Sequence, residues 1–208
     1  WSFSPNSSRK PECNAAATRG VLDSEMTATL NTLPQRLATD RDRAFPDLVR
    51  AMQDGVFSGV LQFTRNRHDA EDVTQETFVR VYRALDGYDA DRIRALQLRP
   101  WVWTIALNLC RNRARTAARH PEAPLTADRV DTDVDTDSEA IENVSLAEWR
   151  TRLAALPAPQ RTAVVLHHVV GLPYAEIAES TGRTESTTRS DVRRGLARLR
   201  TLLEEEAT

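Results

Sequence analysis

The segment that most restricts the fold of this chain lies near its C-terminus and has the pattern of two helices joined by a tight turn. Residues 171–182 present an apolar face and end at Gly182, and residues 183–200 follow with hydroxyl and arginine side chains. Glycine permits the positive-φ turn that ends a helix, and Thr184 is a suitable N-cap for the next one. The pattern therefore predicts a helix-turn-helix. Its second helix is expected to bury three aliphatic side chains, Val192, Leu196 and Leu199.

Small hydroxyl and arginine side chains cluster at the start of the predicted second helix. In a helix-turn-helix, this end of the second helix enters the major groove of DNA, where it meets base edges and phosphates. The alternative is a surface helix that is merely rich in arginine, but the complete helix-turn-helix pattern favours DNA. The candidate DNA contacts are Ser186, Thr187, Arg189, Ser190, Arg193 and Arg194.

Charges are segregated along the chain, although the net charge is only −2. Residues 150–203 hold nine arginines and four acids, whereas residues 117–148 hold two arginines and nine acids. Such separation is typical of a DNA-binding end joined to an acidic connector. A chain of 208 residues accommodates one large or two small domains, and the acidic stretch is the expected linker between two of them.

Several classes of function find no support in the sequence. It contains no catalytic triad, metal-ligand cluster or phosphate-binding loop, so the chain is expected to be neither an enzyme nor a binder of cofactors or metals. Cys13 and Cys110 lie far apart without metal-ligand spacing, and no apolar run approaches the ~18 residues of a membrane span. Because the N-terminus also lacks the apolar core of a secretion signal, a cytoplasmic protein without membrane insertion is predicted.

In the N-terminal half, residues 68–85 form a clear amphipathic helical pattern with acids in its first turn. The apolar face contains Ala70, Val73, Thr77, Phe78, Val81 and Leu85. The opposite face contains Asp69, Asp72, Glu76, Val79 and Arg83. A solvated face is the simplest interpretation, but the apolar Val79 among acids favours a surface that binds a partner.

Residues 99–115 predict another helix, with Pro100 in its first turn. Its polar stripe indicates contacts with phosphates and bases, or a plain solvated face. That stripe follows helical spacing and consists of Asn108, Arg111, Asn112 and Arg115. Trp101 and Trp103 point in different directions, so at least one of them is expected at the surface, where it would suit stacking on unpaired bases. The alternative is that both tryptophans belong to the core.

The sequence as a whole predicts an all-α fold. Two small helical domains are expected, joined by an acidic flexible linker, with the helix-turn-helix in the C-terminal domain. Other N-terminal segments give weaker patterns. Residues 29–39 predict a short helix broken by Pro34, residues 45–61 predict one helix or two, and residues 87–98 predict a loop.

These segments together resemble a known family. Residues 68–85 resemble the polymerase-binding segment of bacterial sigma factors, and residues 101–115 resemble the promoter-melting segment that follows it. Residues 153–203 resemble the C-terminal helix-turn-helix domain of the same proteins. The order and spacing are similar to the extracytoplasmic-function type of the sigma-70 family, which has these two domains and no large middle domain.

The resemblance implies a promoter-specificity subunit that is not an enzyme. Its partners would be core RNA polymerase, promoter DNA and an anti-sigma factor. The implied organisation is an N-terminal extension (residues 1–28), sigma region 2 (29–116), an acidic linker (117–145) and sigma region 4 (146–204).

Individual roles follow from the same resemblance. The polymerase contacts would be Asp69, Glu71, Asp72, Gln75 and Glu76. The minus-ten DNA contacts would be Trp101, Asn108, Arg111 and Arg115, and the minus-thirty-five contacts the six residues named above for the second helix. The loop 87–98 is similar to the one that receives a flipped base, with Tyr88 and Arg94 as its candidates.

The chain departs from the family pattern at four positions of the helix-turn-helix. Ser186 stands where glycine is usual, Asp191 and Leu196 where basic residues are common, and Pro173 where a serine or threonine cap is common. Two other classes of protein remain as alternatives. A repressor or response-regulator output module would bind duplex DNA without needing residues 68–85, and a helical adaptor that binds only proteins would leave Arg189 and Arg193 without a role.

Overall fold

The computed structural model describes residues 30–119 and 148–206, and all regular structure within these two stretches is helical. The first stretch contains α1 (30–39), α2 (Arg41–Thr64), α3 (Arg67–Asp86), α4 (Ala90–Arg94) and α5 (Leu98–Arg119). The second contains α6 (148–154), α7 (Ala158–Val164), a π-helical turn that continues α7 (Val165–Val169), α8 (Tyr174–Thr181) and α9 (Glu185–Glu206). The all-α prediction is confirmed. The predicted N-terminal extension and almost all of the predicted linker lie outside the described residues.

The first helix differs from its prediction in continuity, and the second agrees with one of the two alternatives left open for residues 45–61. Residues 30–39 are helical throughout, so the expected break at Pro34 is wrong. Leu33 and Leu37 are fully buried on this helix, and their burial outweighs the backbone hydrogen bond that the proline cannot donate. The second helix is a single long element, of which Asp40 is the N-cap, accepting a hydrogen bond from the backbone N–H of Arg43 at 3.1 Å.

The close packing around Gly59 explains why α2 has a glycine in its interior. A Cβ atom at this position would overlap the indole ring of Trp103 and lie 2.9 Å from Cγ2 of Val170. A side chain there would therefore push α2 away from the residues that pack on it. The helix-propensity cost of glycine is offset by the close approach that it allows.

Helix α3 carries the apolar face that the sequence predicts, and all six of its expected core residues are buried. The helix begins at Arg67, where the side chain of Asn66 accepts a hydrogen bond from the backbone N–H of Asp69 at 2.8 Å. The segment after α3 is not a plain loop, because it contains the short helix α4. Asp89 caps this helix by accepting from the backbone N–H of Arg92 at 2.8 Å.

The helix-turn-helix consists of α8 and α9. Gly182 has φ +66° and ends α8, and the side chain of Thr184 accepts from the backbone N–H of Thr187 at 3.2 Å. Both predictions about this turn are confirmed. The positive φ of Gly182 and the Thr184 cap fix the angle at which α9 leaves α8. They thereby determine where the N-terminal end of α9 lies.

The buried face of α9 differs from the prediction at Leu196, which is 40% exposed, while Val192 and Leu199 are buried. A Cβ atom on Gly195 would lie 2.6 Å from a methyl carbon of Val164, so α9 crosses α7 closely at this glycine. The crossing centres the contact face on Gly195 and turns Leu196 toward solvent.

The two halves of the chain pack against each other. Leu166, Leu172 and Ile177 are buried in the same apolar cluster as Trp103 and Leu107 of α5. Helix α8 lies along α5, and the π-helical turn lies against α2. The helix-turn-helix is thus held beside the helix that carries the predicted minus-ten contacts.

Two features are absent from the described residues. None of their helices is both long and apolar enough to cross a membrane. They contain no group of three or more histidine, cysteine, aspartate or glutamate side chains that could hold a metal ion. Cys110 is half-buried, and burial raises the pKa of its thiol to about 12, as befits a small residue packed against the core.

Candidate protein and nucleic-acid interfaces

The predicted acidic stripe lies on the outer side of α3. Asp72 and Glu76 are 46% and 42% exposed, and Val79 is exposed beside them. Arg113 of α5 pairs with Asp69 and lies 3.5 Å from Asp72. Two other candidates on α3 are Glu71, which is half-buried and forms an ion pair with Arg67 at 3.0 Å, and Gln75, which is exposed.

Beside this stripe runs an apolar groove between α2 and α3, with a volume of about 530 Å³. Phe45 and Val49 of α2 line one wall, and Phe78, Val79 and Tyr82 of α3 line the other. The exposed Val79 therefore belongs to a continuous apolar surface next to carboxylates. Sequence reasoning found Val79 but missed the α2 wall, because the pattern of a single helix does not show which helix lies next to it.

The predicted minus-ten residues share one exposed face of α5. Arg111 donates a hydrogen bond to Oδ1 of Asn108 at 2.9 Å, and Arg115 donates to Oδ1 of Asn112. These acceptors are neutral amides, so the contacts orient the two guanidinium groups without neutralising their charge. The groups are thereby suited to phosphate or base contacts.

The two tryptophans of α5 have different environments. Trp103 is 1% exposed and belongs to the core, whereas Trp101 is half-buried at the surface. The ring of Trp101 lies 6.0 Å from that of Tyr88, and the Arg92 guanidinium lies 3.7 Å from the centroid of the Tyr88 ring. The expectation that at least one tryptophan reaches the surface is confirmed.

Of residues 87–98, Tyr88 and Arg92 belong to this surface cluster. Arg94 instead forms an ion pair with Asp91 at 2.6 Å. Arg92 was missed by sequence reasoning. Its guanidinium lies over the ring of Tyr88, four residues earlier, and this spacing would have been a signal had the segment been predicted as a helix and not as a loop.

The predicted minus-thirty-five residues lie at the N-terminal end of α9. Ser186, Arg189, Arg193 and Arg194 are exposed there, and Thr187 and Ser190 are half-buried. Arg189 donates a hydrogen bond to Glu185 at 2.6 Å and keeps 63% of its side chain exposed.

Asp191 does not oppose DNA on this face. Its side chain is buried on the inner side of α9 and forms an ion pair with Arg183 at 2.8 Å. The acid is thus directed into the protein and away from the exposed face of α9.

A cleft of about 690 Å³ separates α5 from the C-terminal helices. Arg111 and Arg115 line one wall, and Arg161, Arg183 and Asp191 lie on the other side. In the described part of the chain, Nε of Arg161 is buried without a hydrogen-bond partner. Burial and the nearby Arg65 guanidinium lower the pKa of Arg161. Four arginines and one acid line the cleft, so positive charge is in excess there, and the predicted minus-ten face is partly enclosed by the helix-turn-helix domain.

Two polar contacts join α5 to α8 beside this cleft. The Thr104 hydroxyl donates to the backbone carbonyl of Ser180 at 3.3 Å, and Arg99 lies 3.6 Å from a carboxylate oxygen of Glu176. Burial raises the pKa of the Glu176 carboxyl above its ordinary value, against the opposing effect of Arg99.

The raised pKa of Glu176 predicts a pH dependence of stability. In the pH range between the unfolded-state pKa of about 4.3 and the higher folded-state pKa, the folded chain binds a proton that the unfolded chain does not. Stability of the wild type relative to a Glu176→Gln variant is therefore expected to rise as pH falls through that range. Urea unfolding of both proteins from pH 7.5 to 4.5 measures this difference. The exposed Glu205→Gln, at the far end of α9, is the control, and a difference that stays constant with pH for Glu176→Gln would contradict the assignment.

Comparisons with known proteins agree with this geometry. The chain matches the family model for Sigma-70 region 2 over residues 48–120 and that for Sigma-70, region 4 over residues 146–199. It is 36% identical over 173 residues to the ECF RNA polymerase sigma factor SigE of Mycolicibacterium smegmatis, covering 80% of this chain and 65% of that relative, just under two thirds. It is 31% identical over 195 residues to SigK of Mycolicibacterium vanbaalenii, covering 91% of this chain and 94% of that one.

A solved structure shows the same fold. The structure of CnrH in complex with the cytosolic domain of CnrY matches 85% of this chain and 98% of its own, with 27% identity and a TM-score of 0.64. The family models fall on both helical halves, and the relatives extend across them. The chain belongs to the sigma-70 family as an extracytoplasmic-function sigma factor, a promoter-recognising sigma subunit of RNA polymerase.

Proposed function

We propose that the chain binds core RNA polymerase through the acidic stripe and apolar groove of α3, melts the minus-ten element with α5 and reads the minus-thirty-five element with α9. The observation that supports this most strongly is the separation of three residue sets onto three helices. Each set includes exposed side chains, and each has the chemistry its role requires. The polymerase contacts are Asp69, Glu71, Asp72, Gln75 and Glu76; the minus-ten contacts are Trp101, Asn108, Arg111 and Arg115; the minus-thirty-five contacts are Ser186, Thr187, Arg189, Ser190, Arg193 and Arg194.

The proposal includes the remaining features of such a subunit. The chain acts in the cytoplasm and catalyses no reaction itself. Its region 2 domain spans residues 29–116, its linker 117–145 and its region 4 domain 146–204, with residues 1–28 as an extension. We also propose an anti-sigma factor as a partner of this chain, as membership of the family implies, and the similar protein CnrH was solved with a protein partner, the cytosolic domain of CnrY.

Promoter melting follows from the side chains of α5 and the loop before it. Arg111 and Arg115 hold the backbone, and Trp101 offers a ring at the surface beside Tyr88. Extruding a base costs a few kcal/mol, and stacking on an aromatic side chain returns about 1–3 kcal/mol per base. Stacking a captured base therefore offsets much of the cost of extruding that base.

Reading both promoter elements requires the two halves to separate. The elements are named for positions about 25 base pairs apart, which is roughly 85 Å of duplex at about 3.4 Å per base pair. In the structure, α8 is within hydrogen-bond distance of α5. The packed arrangement therefore represents a form that contacts one element at most, and polymerase binding is the step that holds the halves apart.

Arg189 is the minus-thirty-five residue whose loss is the simplest to measure. Replacing it by alanine is expected to weaken binding of the holoenzyme to its cognate promoter by about 1–3 kcal/mol if the guanidinium contacts a base. Quantitative footprinting on the cognate promoter and on minus-thirty-five variants measures the loss. Arg200→Ala, farther along the same helix, serves as the control, and unchanged binding by Arg189→Ala would remove this residue from the reading surface.

The proposed function as a whole is tested by run-off transcription. The purified chain is mixed with core RNA polymerase and a pool of genomic promoter fragments, and specific transcripts are sequenced. Transcripts that begin downstream of a common two-part motif support the proposal and identify the promoter. Duplex binding without transcripts would support a repressor instead, and loss of both activities would support a protein-binding adaptor.

A further inference from the structure

The guanidinium of Arg189 is held on two sides before any DNA is bound. Its Nη2 donates to Oε1 of Glu185 at 2.6 Å, and its central carbon lies 5.1 Å from the centroid of the Tyr174 ring. Tyr174 is the first residue of α8, so it belongs to the other helix of the motif. The contact therefore fixes the arginine relative to the body of the domain as well as to its own helix.

The Tyr174 ring has a second contact, with a histidine side chain. The imidazole of His167 stacks on it, with ring centroids 4.3 Å apart and an angle of 24° between the ring planes. Nδ1 of His167 lies 2.9 Å from the carbonyl oxygen of Leu172, so this nitrogen carries the proton and donates it. The hydrogen bond fixes the orientation of the imidazole and limits movement of the tyrosine.

The π-helical turn brings His167 to this position. The turn spans Val165–Val169, and the backbone N–H of Val170 donates to the carbonyl of Val165 at 3.1 Å. A π-helical turn inserts one extra residue into the helix and so rotates the following side chains relative to a regular α-helix. Such turns often occur at functional sites. Here the turn is the local irregularity that permits the stack of His167, Tyr174 and Arg189.

We propose that Tyr174 is a positioning residue for minus-thirty-five recognition, which holds the Arg189 guanidinium in the orientation that reads the base. This inference rests on the proposed contact between Arg189 and promoter DNA. The aromatic face attracts the cation without occupying its N–H groups, so the groups that are not bonded to Glu185 stay available to a base edge or a phosphate. Holding the side chain in advance reduces the conformational freedom that it loses on binding.

Base discrimination separates this role from simple packing. The measured quantity is the ratio of holoenzyme affinities for the cognate promoter and for a promoter with one substituted minus-thirty-five base. Tyr174→Phe retains the ring and is expected to keep the ratio of the wild type. Tyr174→Leu retains apolar volume but loses the ring, and is expected to reduce the ratio about fivefold to tenfold. Binding to nonspecific duplex and the melting temperature are measured for each variant.

A double-mutant cycle with Arg189→Ala keeps the test decisive if Tyr174→Leu lowers the melting temperature. When tyrosine acts through arginine, the leucine change lowers the ratio no further in the Arg189→Ala background. An additional loss in that background, or an unchanged ratio for Tyr174→Leu alone, would overturn the inference while leaving the reading role of Arg189 intact. If Arg189→Ala itself leaves the ratio unchanged while the holoenzyme still initiates transcription, both the assignment of Arg189 and the inference fail.

Discussion

Reversing two charges on the acidic stripe, Asp72→Arg together with Glu76→Arg, is expected to abolish binding to core RNA polymerase and to leave the fold intact. Both carboxylates are about half exposed on α3, beside the apolar groove and the exposed Val79. Turning attraction into repulsion across a protein interface costs several kcal/mol, so a loss of roughly 100-fold or more is expected. Stability should change little, because Arg113 keeps Asp69 as a partner and exposed substitutions usually have small effects.

Fluorescence anisotropy of the labelled chain, titrated with core enzyme, measures this binding. The matched control reverses two acids elsewhere, Glu204→Arg with Glu205→Arg. Glu204 accepts from Arg200 four residues before it, just as Glu76 accepts from Arg80 four residues after it. Normal binding by the α3 variant would show that the acidic stripe is not the polymerase surface. Equal losses in both variants would show a general charge effect instead.

The second large effect concerns the two tryptophans of α5, which lie two residues apart and have opposite environments. Trp103→Ala is expected to reduce the free energy of unfolding by about 3–5 kcal/mol, because the side chain fills the space between α5 and Gly59 in the core. Trp101→Ala should cost much less stability, since its ring is half-buried against Tyr88. It is expected instead to reduce promoter opening roughly tenfold or more, in line with the loss of one base stack.

Urea unfolding measures the first effect, and permanganate reactivity of unpaired thymines in the holoenzyme complex measures the second. Trp101→Phe is the control, because it keeps an aromatic face and should open the promoter nearly as well as the wild type. Full opening by Trp101→Ala would exclude the tryptophan from base capture. Similar unfolding free energies for the two alanine variants would contradict the difference in their burial.

The local sequence pattern was sufficient to predict which residues are buried wherever a helix buries one continuous face. Every position predicted for the apolar face of α3 is buried, because an amphipathic helix turns only its apolar face toward the core. The turn between α8 and α9 was equally predictable. Gly182 adopts the positive φ and Thr184 supplies the cap, since both are decided by a few neighbouring backbone atoms.

The candidate site was predicted less evenly. The arginines and asparagines of α5 lie on one exposed face as expected, because their spacing alone determines that they share it. Arg92 and the α2 wall of the groove were missed. The α2 wall joins the groove only through contact with α3, and no period within one segment encodes such a contact. Arg92 lies over the Tyr88 ring four residues before it, and it was missed because the segment was predicted to be a loop.

The sequence by itself determined the all-α fold, the helix-turn-helix and the residue types that identify the family, because these depend on local propensity and spacing. The tertiary structure decided which face each ambiguous residue presents. Leu196 is exposed because α9 crosses α7 at Gly195, and Asp191 is buried because the inner side of α9 offers it Arg183. The packing of α8 on α5 was also beyond the sequence, since it comes from complementary surfaces far apart along the chain. Only folding brings such surfaces together, and their contacts carry no periodic signal.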